Sequence, residues 1–112
     1  MAKRLHRAYS RQTLEALELL ADTIRAGRIE RKITTREMAN RAGVSRSLLQ
    51  RIEEGDPSCT IGAVFEVAVI AGVSLFETDP DRLQTHRTAL REKLSLLPRQ
   101  ARKPKRVIRD DF

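Results

Sequence analysis

The chain is poor in aromatic residues and almost free of cysteine. Only 4% of its 112 residues are aromatic and Trp is absent, which argues against the stacking platforms that grip single-stranded nucleic acid. The single cysteine, Cys59, excludes an internal disulfide and a thiolate zinc centre and suits a reducing cytoplasm. No run reaches the roughly 18 apolar residues of a membrane span, and the basic start lacks the apolar stretch of a signal peptide. The expectation is a soluble cytoplasmic protein with no membrane association. No segment alternates as a strand does, and no internal repeat, Gly-rich phosphate loop or pair of carboxylates stands out. His6 lies in the N-terminal arm, His86 in a charged helix, and Cys59 has no neighbouring His. Catalytic, metal and cofactor sites are therefore not expected, and Cys59 reads as half-buried packing. The chain reads as a binding protein rather than an enzyme.

What the chain has in excess is positive charge, 22 Lys/Arg against 15 Asp/Glu for a net +7. Where that charge lies matters more than its size. Residues 1–14 carry Lys3, Arg4, Arg7 and Arg11 with no acid, and residues 98–112 carry six Lys/Arg against Asp110 and Asp111. The two ends thus hold +8, and residues 15–97 net −1. Within that middle, residues 25–51 hold eight Lys/Arg against Glu30 and Glu37, whereas 52–97 hold four against eight acids. A basic centre precedes an acidic segment.

At 112 residues the length suits one core, burying about two-thirds of the unfolded surface. Residues 1–11 show no apolar period and read as a flexible basic arm. Leu14, Leu17, Leu20, Ala21 and Ile24 then recur at three- and four-residue steps, predicting a helix over 11–28 that Gly27 weakens at its end. Thr34 and Glu37 make a capping box for a second helix, which runs to Ala42 and stops at Gly43. One residue later Ser45 caps a third helix over 46–54, closed by Gly55. Thr60 starts a fourth, with Ile61, Val64, Phe65, Ala68 and Ala71 as its apolar positions and Gly72 as its stop. Ser74 and Glu77 form a second capping box on a short turn with Leu75 and Phe76. Asp79-Pro80 opens a last helix over 80–97, whose stripe of Leu83, Leu90, Leu94 and Leu97 could serve either an interface or the core. The organisation expected is a DNA-binding domain over 12–78, a C-terminal helix over 79–97, and a basic tail over 98–112 that is disordered on its own.

Two short helices joined by a tight Gly turn form a helix-turn-helix, and seven positions meet its packing needs. Ala39 allows close approach of the helices, Gly43 accepts the left-handed turn, and Met38, Ala42, Val44, Leu49 and Ile52 fill the seam. Their joint spacing, coincident with the basic centre, points to double-stranded DNA. The third helix would then enter the major groove by its N-terminal half, offering Arg46, Ser47, Gln50 and Arg51 to base edges. Arg51 serves equally well as a phosphate contact. Phosphate positioning is expected at the start of the second helix from Thr35 and Arg36, with Lys32 and Arg41 nearby. Arg28 and Glu53 are placed to form a partly buried structural ion pair, with DNA contact as the alternative for Arg28.

Taken together, Ile24-Arg25 with Arg28, Thr34, Glu37, Met38-Ala39, Ala42-Gly43-Val44-Ser45, Leu49, Ile52-Glu53 and Gly55 resemble the Xre/Cro type of helix-turn-helix domain, over about residues 12–76. The resemblance implies an all-α, lambda-repressor-like domain of five helices, a homodimer, and a palindromic operator with half-sites about one helical turn apart. It also supports the Arg28–Glu53 pair and places Arg46, Ser47 and Arg51 on the base-reading side. Thr35 departs from the pattern: the family often has a Gln there, with more reach to a phosphate. Residues 60–66 with Val73-Ser74-Leu75-Phe76, and the tail closing on Asp110-Asp111-Phe112, are similar to HipB-like antitoxins encoded beside HipA-like kinases. That similarity implies an autorepressor restraining a kinase partner. The tail could dock Val107, Ile108 and Phe112 on such a protein; it serves equally as a nonspecific DNA-binding or solubilising segment. A plain repressor without a kinase partner is the alternative.

Overall fold

The computed structural model describes residues 8–77, 79–101 and 103. Among these residues there are five α-helices and no strand: α1 (Arg11–Glu30), α2 (Thr35–Ala42), α3 (Arg46–Glu53), α4 (Ile61–Ile70) and α5 (Pro80–Leu96). The all-α architecture expected of the sequence is the one observed. The chain divides into two units, one ending at Leu75 and holding α1 to α4, the other starting at Phe76 and holding α5.

Local signals account for the helix ends. Ser10 caps α1 by accepting from the Thr13 amide at 3.1 Å. At α2 the Thr34 hydroxyl accepts from the Glu37 amide at 3.1 Å, and the Glu37 carboxylate accepts from the Thr34 amide at 3.4 Å. Both halves of the capping box are present, so two amides at the helix start are satisfied. Gly43 ends α2 at φ 68°, in the left-handed region that Gly enters without a Cβ penalty. Only Val44 and the next cap, Ser45, whose hydroxyl accepts from Leu48 at 3.0 Å, precede α3. Asp79 caps α5 from the Asp81 amide at 3.1 Å, with Pro80 in the first turn.

Gly27 does not end α1, which continues to Glu30. It sits where the end of α4 crosses, and a Cβ there would collide with the Ala71 carbonyl. The residue marks a close approach of two helices rather than a helix stop. The turn between α1 and α2 is tied by the Ile33 amide donating to the Arg28 carbonyl at 3.0 Å. Lys32 occupies it at φ 57°, a left-handed conformation uncommon for a side chain of this kind.

The core of the first unit is formed where α2 packs on α3 and α4 and α1 packs on the same pair. Ile24, Met38, Leu49 and Val67 are fully buried, one from each helix, with Ala21, Ile33, Ala39, Ile52, Ala68 and Ala71 around them. Each large side chain removed from water in this way contributes about 1.5–3 kcal/mol. On α4 the expected stripe needs correction: Ile61 is 73% exposed, whereas Val67 faces inward. Most of α4 is apolar, so its pattern does not mark the inner face, and Ile61 lies in the first turn beyond the crossing. Leu14 is likewise exposed, at the start of α1. The capping box expected at Ser74 is not formed. Residues 75 and 76 are bends, and the Glu77 carboxylate accepts instead from the Asp79 amide at 3.4 Å. No residue of α5 is buried, which removes Leu83, Leu90 and Leu94 from the core.

Candidate nucleic-acid interface

The two faces of α3 are sharply divided. Leu49 and Ile52 point into the core and Leu48 is half-buried against it, while Arg46, Ser47 and Gln50 are exposed. The same division holds along the seam before it, where Met38 and Ala39 are buried and Ala42 and Val44 half-buried. The short Gly43 turn leaves α3 no slack, so packing on one side fixes the aim of the other.

In front of α3 lies an open cleft of about 530 Å³, lined among others by Arg46, Ser47 and Gln50 on α3, Thr35 at the start of α2 and Arg25 on α1. Among the described residues no hydrogen bond or ion pair holds the Arg46 side chain. Gln50 donates from Nε2 to Glu54 Oε1 at 3.1 Å, a surface contact that exchanges readily with another acceptor. Thr35 and Arg36 are exposed in the first turn of α2, where free amides and the helix dipole favour an anion. Lys32 is exposed in the preceding turn. Arg41 is in the last turn of α2, about 9 Å along the axis from Thr35, and does not join that cluster.

Arg51, expected at a base edge or a phosphate, is engaged by the loop that follows α3. Its Nε donates to Asp56 Oδ2 at 3.0 Å and its guanidinium also donates to Ser58 Oγ at 3.1 Å, while Ser58 in turn donates to Asp56 Oδ1. Half-buried and in the last turn of α3, it holds the following loop in place. Position on the helix alone did not reveal this, because Asp56 lies beyond the helix end. Arg25, to which the sequence assigned no site role, is exposed one turn before Arg28 and lies on the cleft rim.

Arg28 and Glu53 form the support behind the cleft. Arg28 Nε donates to Glu53 Oε2 at 2.7 Å and a second nitrogen donates to Oε1 at 3.1 Å, a two-pronged pair with both side chains about nine-tenths buried. A third donor reaches the Ile33 carbonyl at 3.0 Å, so the guanidinium joins α1, the turn before α2, and α3. Cys59 is half-buried against the core, and no group able to hold a metal ion occurs among the described residues. Lys3, Arg4, His6 and Arg7 in the arm, and Val107, Ile108 and Phe112 in the tail, lie outside the described residues. No helix among the described residues is long and apolar enough to cross a membrane.

A capped helix, a three-residue turn with a left-handed Gly, and a second helix presenting polar side chains outward define a DNA-binding helix-turn-helix protein. Residues 19–80 match the family described as a helix-turn-helix domain, and the chain belongs to that family. The match covers more than half of the chain and contains α2, α3 and α4 entire. No curated protein matches the chain.

Proposed function

We propose that this protein is a sequence-specific transcriptional repressor that binds a palindromic site in double-stranded DNA as a homodimer. The outward set on α3 carries the reading: Arg46, Ser47 and Gln50 exposed opposite Leu49 and Ile52. Arg46 in the first turn of α3 donates to a guanine edge, and Gln50 exchanges its Glu54 contact for an adenine edge. Thr35, Arg36 and Lys32 grip a phosphate at the start of α2, Arg25 approaches the backbone from the cleft rim, and Arg41 contacts DNA only at a separate phosphate. Binding-site selection from random duplexes tests this. The wild-type chain should enrich one two-fold site, and Arg46→Ala should lose preference at one base pair in each half-site. Unchanged preference would sink the assignment to α3.

The second reading adds a HipA-like kinase partner that the chain restrains as an antitoxin. It rests on the sequence of the tail, where Val107, Ile108 and Phe112 interrupt dense charge. Truncation after Leu97 separates the two. A plain repressor keeps operator binding and loses nothing else, whereas an antitoxin keeps it and no longer co-purifies with the kinase.

A further inference from the structure

Helix α5 carries an apolar face that is largely exposed among the described residues. Leu83 is 40% exposed, Leu90 58% and Leu94 59%, and with Phe76 two of them floor a groove whose rim is His86, Arg87 and Lys93. At about 100° per residue, Arg91 lies beside Arg87 on that edge, while Asp81 and Glu92 fall on the opposite face. The groove is therefore apolar along its middle and basic on both sides. A lone 17-residue helix is only marginally stable in water, so this face calls for a partner. Pairing with the same face of another α5 would set Arg87 and Lys93 against their own copies, an arrangement of like charges.

The complementary surface lies on α1. Its inner side is committed to the core through Leu20, Ala21, Ile24 and Arg28, but its outer side exposes Leu19 at 69% and Ile29 at 54%. Glu15, Glu18 and Asp22 share that outer side; Arg11 pairs with Glu15 at 3.1 Å and Arg25 lies at its edge, so among the described residues Glu18 and Asp22 carry its unpaired negative charge. It is apolar and acidic where α5 is apolar and basic. We infer that α5 of one copy docks on the outer face of α1 of a second copy. In a two-fold dimer each copy gives one α5 and receives one, so the contact closes on itself. This rests on the homodimer proposed above and names its interface.

Charge exchange tests it on the full chain, with mass measured by light scattering and helix content by circular dichroism. The wild type should be a dimer. Arg87→Glu with Lys93→Glu makes α5 acidic, and Glu18→Lys with Asp22→Lys makes α1 basic. Each double variant should stay helical and dissociate about 100-fold more readily. Mixed in equal amounts, the two should reassemble as a heterodimer, because each acidic face then meets a basic one. A wild-type monomer overturns both the homodimer and this interface. Dimerisation unchanged in both variants overturns the interface and leaves the homodimer standing. Folded monomeric variants that fail to recombine also overturn it, since the charges then act within one copy.

Discussion

At the scale of single residues, burial decides whether a charge supports the fold or meets DNA. Arg28 and Glu53 are buried together, so removing one leaves the other without its partner. Arg28→Met alone should cost about 3–5 kcal/mol, and Arg28→Met with Glu53→Leu should cost less than the single change. Urea denaturation of these two variants and of Glu53→Leu alone reads this directly, and simple additivity would refute it. Among the described residues no hydrogen bond or ion pair holds the Arg46 side chain, so Arg46→Ala should leave the denaturation midpoint unchanged while weakening specific binding by about 1–3 kcal/mol. Lys32 combines both effects. Its left-handed backbone at φ 57° costs about 1 kcal/mol that Gly would not incur. Lys32→Gly should raise stability by that amount and, by the phosphate role proposed for it, flatten the salt dependence of DNA affinity by about one unit of slope. A variant that gains stability with no change in slope would remove Lys32 from the interface.

At the scale of the element, helix ends and crossings respond to substitution in opposite ways. Gly27 meets the Ala71 carbonyl, whereas a Cβ on Gly62, near the start of α4, meets nothing within 4 Å. Gly27→Ala should therefore destabilise by about 1–3 kcal/mol and Gly62→Ala should stabilise by about 0.5–1 kcal/mol, both measured by thermal unfolding. Thr34→Ala, which removes the hydroxyl from the capping box, should cost about 1 kcal/mol. Such local chemistry is what a sequence displays well. The Thr34 and Ser45 caps, the Gly43 stop and the seam from Met38 to Ile52 were legible because each depends on neighbours within a few residues. Partners beyond an element's end were not. Arg51 looked outward by position, yet Asp56 and Ser58 in the next loop engage it. The inward side of Val67 and the exposure of Ile61 are not legible because an almost uniformly apolar α4 has no polar face to orient it, and Gly27 reads only as a weak point near the end of α1 because the crossing α4 lies over 40 residues away.

At the scale of the whole molecule, the two units differ in what holds them. The first contains every buried residue described, while α5 contains none. Hydrogen exchange at concentrations too low for association should find the α4 amides opening only with global unfolding and the α5 amides opening locally. Equal protection would mean that α5 has a stabilising contact within the single chain. The division of α3 into an inner and an outer side carries a further consequence. Because Arg46, Ser47 and Gln50 contribute nothing to the core, and Leu49 and Ile52 nothing to the outer surface, the two sets are free to change separately. A lineage can drift to a new DNA sequence through outward substitutions without risking collapse of the domain, and can repack its interior without altering the DNA it binds.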